Sequence, residues 1–251
     1  MAGCAGAESV SATALETLLR ERVDIRRGGE TPAVELATRP SGYAPLDAAL
    51  PGGGWPLGAV TELLVAAAGI GELSLLLPTL RVLTAGEGRD VALVAPPYVP
   101  YAPALASAGV VLERLLVVDP PNDGEALWSA ERLLESGRYA AVLLWVHRTT
   151  PAKQRRLQLA ASAGASVGVV YRDADAAADH SPVALRLAVA PTAGALRIEL
   201  VKVRHGTPRA IYLDAALFEG AQGVRWPIVA DAARRRSSRV APLAARRAPS
   251  G

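Results

Sequence analysis

Val60-Thr61-Glu62-Leu63-Leu64-Val65-Ala66-Ala67-Ala68-Gly69-Ile70-Gly71-Glu72-Leu73-Ser74 begins as a mainly apolar run and closes around two glycines set two apart. A short apolar run bounded by turn residues is the pattern of a strand covered on both faces, as in a parallel sheet. Past the glycines the apolar positions take helical spacing, which predicts a helix over 72–84. Strand, glycine turn and helix make the opening of an α/β unit. In such a unit a ligand's phosphate is held by the turn, where the carboxyl end of the strand meets the N-terminus of the helix.

The alternation continues towards the C-terminus. Apolar runs at 90–95, 114–118, 139–146 and 166–171 are predicted as further strands buried on both faces, with helices at 101–108, 125–135 and 151–163. The last helix has Thr149 or Thr150 as its N-cap and Pro151 in its first turn. Strands joined through helices imply right-handed crossovers and a mostly parallel sheet. Runs at 183–190, 196–203 and 209–213, separated by turn residues, predict an antiparallel meander at one edge. The fold class is therefore α/β: a twisted, mostly parallel sheet flanked by helices, with an antiparallel edge. On the N-terminal side, Ala14, Leu15, Leu18, Leu19 and Val23 form the apolar face of a helix predicted over 9–27, ended by Gly28-Gly29. The chain thus divides into an N-terminal helix and linker (1–39), a core domain (40–230) and a tail (231–251).

Composition narrows the function classes. A chain of 251 residues, 51% hydrophobic and 20% charged, suits one globular domain with short arms. A single cysteine, Cys4, excludes an intrachain disulfide and a cysteine-rich zinc site. His147, His180 and His205 lack metal-ligand spacing, and no G-x-S-x-G elbow is present. Neither a signal-peptide pattern nor about 20 unbroken apolar residues occurs, so no membrane span and a cytoplasmic location are expected. The formal charge of +3 hides an asymmetry: the last twenty residues hold six arginines, among them Arg234, Arg235 and Arg236, and no acid. The body is mildly acidic. The tail is predicted to be a basic, disordered arm, suited to nucleic acid or an acidic partner surface.

The turn at 66–73 departs from a working phosphate loop, GxxxxGK[ST], in which lysine reaches the phosphates and a hydroxyl holds magnesium. With Gly71 at the second glycine, Ala66 replaces the first, Gly69 falls inside the loop, Glu72 replaces the lysine and Leu73 the hydroxyl. A carboxylate repels the triphosphate that a lysine would attract. The expectation is a loop that binds no nucleotide and a chain that needs no cofactor.

The segments before this loop, Pro40-Ser41-Gly42-Tyr43-Ala44-Pro45-Leu46-Asp47-Ala48-Ala49-Leu50 and Gly52-Gly53-Gly54-Trp55-Pro56-Leu57-Gly58-Ala59-Val60-Thr61-Glu62, resemble the stretch leading into the phosphate loop of RecA recombinases. Weaker matches at 108–110, 115–117, 124–127 and 143–144 keep the RecA order, so the resemblance spans about 36–213. It implies a RecA-like core domain. It also implies that catalytic positions are lost: Pro97 matches the water-activating glutamate and Ala104 the adenine-stacking aromatic. Trp145, Val146 and His147 stand where the magnesium-linked carboxylate should be. The chain resembles a degenerate ATPase scaffold with no catalytic residues.

Among RecA-like families the chain is similar to ImuA, which accompanies translesion-synthesis cassettes. That resemblance implies a non-catalytic adaptor in SOS-induced error-prone synthesis and mutagenesis. Its implied partners are ImuB, a Y-family polymerase homologue, and an error-prone C-family DNA polymerase, with RecA or DNA as further candidates. The alternative is a SulA-like cell-division inhibitor that caps a cytoskeletal division protein; SulA chains are generally shorter. A residual nucleotide-binding switch is a third reading, which Glu72 opposes. Candidate DNA or partner contacts are Arg148, Lys153, Arg155 and Arg156, the densest basic cluster in the body, together with Arg234, Arg235 and Arg236. Cations in the first turns of a helix oppose its dipole, so a partner surface or a solvated face explains them. Trp226, near the tail, is either a partner anchor or a cover for the sheet edge.

Overall fold

The computed structural model describes residues 37–203 and 209–218, all within the unit Leu36–Gly251. The predicted helix over 9–27, Trp226 and the arginine tail lie outside the described residues. In chain order the elements are β1 (Thr38–Arg39), α1 (Ala44–Asp47), β2 (Trp55–Pro56), β3 (Ala59–Val65), α2 (Leu77–Arg81), β4 (Asp90–Val94), α3 (Ala102–Ser107) and β5 (Leu115–Val118). There follow α4 (Asp123–Glu135), β6 (Tyr139–Trp145), α5 (Pro151–Gly164), β7 (Val167–Asp173), β8 (Leu185–Thr192), β9 (Ala195–Val203) and β10 (Ala210–Asp214).

Eight strands form one sheet in the order β10-β9-β8-β3-β7-β6-β4-β5. β3 pairs in parallel with both β7 and β8, and the parallel set continues through β6, β4 and β5. β8, β9 and β10 are antiparallel to one another. The mostly parallel sheet and its antiparallel edge are as the apolar runs predict. Every residue of β3 is buried, because helices cover both faces. On one face Ile70, Leu75, Leu76, Leu80, Leu83 and Leu105 pack against Leu63, Leu93, Leu143 and Val169. On the other, Ala126, Leu127, Ala130 and Leu134 of α4 and Leu157, Ala160 and Ala161 of α5 meet Val60, Ala92, Val94, Val142 and Leu144.

The segment that carries the RecA resemblance has a structural reason of its own. The Ser41 amide donates to Asp47 Oδ1 at 2.7 Å, closing the turn before α1, and the Tyr43 hydroxyl donates to the Ser74 carbonyl at 2.8 Å. Leu46 and Trp55 are wholly buried. β1 pairs with β2, and a Cβ on Gly54 would stand 2.2 Å from the Arg39 carbonyl oxygen, so only glycine permits the two chains to pass. The helix ends follow local chemistry too. Thr150, not Thr149, caps α5, accepting from the Lys153 amide at 3.3 Å, and Asn122 caps α4, accepting from the Glu125 amide at 3.0 Å.

Two expectations need correction. The helix predicted over 72–84 shrinks to α2, preceded by single turns (the Ser74 amide on the Gly71 carbonyl, the Leu76 amide on Leu73). It ends in a wider turn, Val82–Gly86. Pro78 has no N–H to donate and its ring clashes with the preceding turn, so the helix can only begin around it. The run at 114–118 is not buried on both faces: β5 is the outermost strand, with Leu116 37% and Val117 44% exposed.

Candidate functional site

The carboxyl ends of β3, β7, β6 and β4 gather the loop residues in which α/β folds bind ligands. After β3, Ala66 and Gly69 are exposed and Leu73 is half-buried against the core, while Glu72 is buried. Gly69 and Gly71 both take positive φ, 82° and 101°, which turns the loop back on itself. Glu72 points inward: its Oε1 accepts the Gly69 amide at 2.9 Å. The backbone donor that such a loop would offer to a phosphate is thus taken by the chain's own carboxylate. Leu73 brings no hydroxyl.

Two aromatic rings lie in register on the next strands. Trp145 at the end of β6 and Tyr171 on β7 are paired residues, and their rings stack at 4.4 Å with 5° between planes. Tyr171 is wholly buried; burial first, and the charge of Glu72 second, push its phenol well above the ordinary tyrosine value. Trp145 and Val146 thus complete core packing at the position where the resemblance expects a magnesium-linked carboxylate. His147, exposed beyond them, sits with Nδ1 3.1 Å from Asp173.

Past β4 the chain turns sharply. Ala95 adopts a positive φ of 53°, strained for a residue with a Cβ, and its amide donates to the Val118 carbonyl at 2.8 Å. The proline-fenced loop beyond it is exposed at Pro97, Tyr98, Val99 and Tyr101. Tyr98 lies across the glycine loop, with its ring edge 3.9 Å from the position of a Cβ on Gly69. Ala104 is buried in α3. Pro97 brings no carboxylate to this loop, whose exposed side chains are that proline, Val99 and the phenols of Tyr98 and Tyr101.

The basic cluster divides once it is folded. Arg148, Lys153, Arg155 and Arg156 are all exposed around the start of α5. Arg156, however, lies against Glu131 of α4, with Nε at 3.1 Å and Nη2 at 2.9 Å. That leaves the side chains of Arg148, Lys153 and Arg155 without an acidic partner among the described residues. Arg234, Arg235 and Arg236 lie outside them.

One charged constellation escapes the sequence reading. Glu62, in the middle of β3, is fully buried and holds Arg172 Nη1 at 3.0 Å, Gln154 Nε2 at 2.9 Å and the Arg186 Nε. Arg186 also donates to the carbonyls of Ala176, Ala177 and Asp179, and Arg172 reaches Asp179 at 2.7 Å. Burial works against the Arg172 charge, yet hydrogen bonds to Asp179 and Glu62 hold its guanidinium above the usual arginine value. The available signal is a charge within each of three apolar strand runs, since a buried charge requires a partner. Residues 174–178, between Asp173 and Asp179, form a short turn, and the carbonyls of Ala176, Ala177 and Asp179 close over Arg186.

No family model matches the chain. A 100-residue segment, 40% of the chain, is 34% identical to the cell division inhibitor SulA of Edwardsiella piscicida and spans 60% of that protein's length. The chain is similar to SulA. A crystal structure of SulA from Pseudomonas aeruginosa is also similar, at 29% identity over 45% of this chain and 96% of that one, with a TM-score of 0.39. Among the described residues no helix is long and apolar enough to cross a membrane.

Proposed function

We propose that this chain is a SulA-related protein of the SOS response that acts by protein contact rather than by nucleotide chemistry, and that it restrains cell division as a SulA-like inhibitor. The observation that carries the non-catalytic part is the Glu72 carboxylate on the Gly69 amide, 2.9 Å away. A phosphate there would meet a negative charge in place of a lysine and find the loop's donor already engaged. The division role rests on the segment shared with SulA. The exposed Tyr98, Val99 and Tyr101 beside that loop supply a contact surface. Tyrosines held by prolines bury large area at little entropic cost.

A second reading, an ImuA-like adaptor on a RecA-like core, is favoured by one observation: the matched segment is a smaller share of this chain than of the SulA relative, so this chain is the longer. In that reading Arg148, Lys153 and Arg155 face DNA or an acidic partner, and the implied partners are an ImuB-like protein and a C-family polymerase. Overexpression in undamaged cells separates the two. Filamentation supports the division inhibitor. Normal division together with lost damage-induced mutagenesis on deletion supports the adaptor. Calorimetry with ATP and magnesium tests the shared premise: absence of heat is expected, and saturable binding overturns it.

A further inference from the structure

α4 and α5 lie side by side over one face of the sheet, and their inner sides are buried in its core. Their outer sides leave Trp128 60% and Leu159 70% exposed. The strands before and after each helix are parallel, so the two helices run in the same direction. Glu131 and Arg156 meet across the seam between them at 2.9 Å. Trp128 precedes Glu131 by three residues and Leu159 follows Arg156 by three, so each is the surface neighbour of one member of that pair. At a rise of 1.5 Å per residue, the two apolar side chains stand about 9 Å apart along the seam. The aliphatic stem of Arg156 lies between them.

Single exposed apolar residues are ordinary; the charges beside these are not explained by folding. α5 carries Lys153, Arg155 and Arg156 and no acid. All three stand in its first two turns, where the helix dipole disfavours cations. Arg155 shares a face with Leu159, four residues on, and Lys153 one with Arg156. The acids of this layer are already engaged. Glu131 takes Arg156 and Arg132, Glu135 takes Arg132, Asp123 accepts the Arg148 amide, and Glu125 accepts from the Asn122 side chain. His147, next to Arg148, faces Asp173. The guanidiniums of Arg148 and Arg155 and the Lys153 ammonium have no acidic partner among the described residues.

We propose that the α4–α5 seam is a docking surface for an acidic amphipathic helix of a different protein. Its apolar side chains would cover Trp128 and Leu159, and its carboxylates would meet Lys153, Arg155 and Arg148 at the amino ends of the two helices. A tryptophan and an arginine at the centre of such a face are the residue types that carry binding energy. A nucleic acid fits less well. Leu159 offers a base no stacking face, and Glu125, Glu131 and Glu135 of α4 would lie against its phosphates. The surface uses nothing from the glycine loop, so its failure would leave the division and nucleotide readings untouched.

Fluorescence anisotropy of labelled peptides, with the full chain titrated to about millimolar, tests it. The probe is a helical peptide of about 18 residues, five turns, with leucines along one face and glutamates beside them. One control has lysines for the glutamates; the other has the same composition shuffled so that the leucines scatter. The acidic amphipathic peptide is expected to bind saturably, more weakly as salt rises, and both controls at least roughly tenfold more weakly. Trp128→Ala and Leu159→Ala are each expected to cost roughly tenfold. Lys153→Ala with Arg155→Ala should flatten the salt dependence. All four side chains are exposed, so thermal unfolding should be unchanged in these variants. Tyr98→Ala, in the loop after β4, should leave binding as it is. The proposal is overturned if the acidic peptide does not saturate, if the three peptides bind alike, or if Trp128→Ala and Leu159→Ala bind like the wild type. It is overturned equally by an oligothymidine single strand that binds the wild type, loses affinity in Trp128→Ala and displaces the peptide.

Discussion

Two glutamates, ten residues apart and both out of solvent, have opposite surroundings. Glu62 lies within β3, where two arginines and a glutamine use both of its oxygens. Glu72 lies in the loop after the same strand, where one oxygen takes a single backbone amide and no hydrogen bond reaches Oε2 from the described residues. Glu62 ties β3, β7, β8 and α5 together. Glu72 ties a loop to itself. A carboxylate in the sheet is a structural joint. One in the loop past the strand holds that loop's own backbone. The difference separates a buried charge that holds strands together from one that closes a loop on itself.

The largest expected effect breaks the joint. Glu62→Ala leaves two buried guanidiniums facing each other and is expected to destabilise by about 3–5 kcal/mol in urea unfolding. Replacing the set together, Glu62→Leu with Arg172→Met and Arg186→Met, is expected to recover most of that loss, because well-packed apolar groups substitute for a buried ion cluster. Glu72→Ala should cost only about 1–2 kcal/mol, the value of one backbone donor left without its acceptor. If the two alanine variants prove equally costly, Glu72 is also a structural joint and the comparison fails.

A gentler probe is alkaline pH. Burial raises the Tyr43 phenol to about 12 and that of Tyr171 well above the ordinary 10. Both groups therefore stay neutral in the folded chain at a pH where the unfolded chain ionises. Their contribution to stability is complete below pH 10 and is lost as pH rises from 10 towards 12. Thermal unfolding should show a falling midpoint over that interval, and Tyr43→Phe should lessen the fall. Absorbance titration of Glu72→Gln should show Tyr171 ionising earlier than in the wild type while still late, since burial remains after the charge is gone. The smallest effect belongs to the surface: Arg156→Ala is expected to cost less than about 1 kcal/mol, as exposed ion pairs do.

What could be read in advance follows the same division. The parallel strands were legible because apolar runs of strand length leave few alternatives, and the meander because turn residues mark it. That a carboxylate, Glu72, stands beside the loop glycines was visible in the sequence; its turn back to the Gly69 amide was not, since that depends on two positive φ values. The Glu62 cluster stayed hidden because its members lie 110 and 124 residues apart and meet only when β7 and β8 flank β3. The edge position of β5 was hidden for a related reason: its residues carry the signature of burial, and strand order is a long-range property.

The stacked pair at the strand ends has a practical consequence. Two rings in near-parallel contact at 4.4 Å are strongly coupled chromophores, and Trp145 is only half-buried. Such a pair is expected to add to the near-ultraviolet circular dichroism of the folded chain, a contribution that Trp145→Phe should diminish. A change in that signal would report a change of packing at the carboxyl ends of β6 and β7, readable without a label.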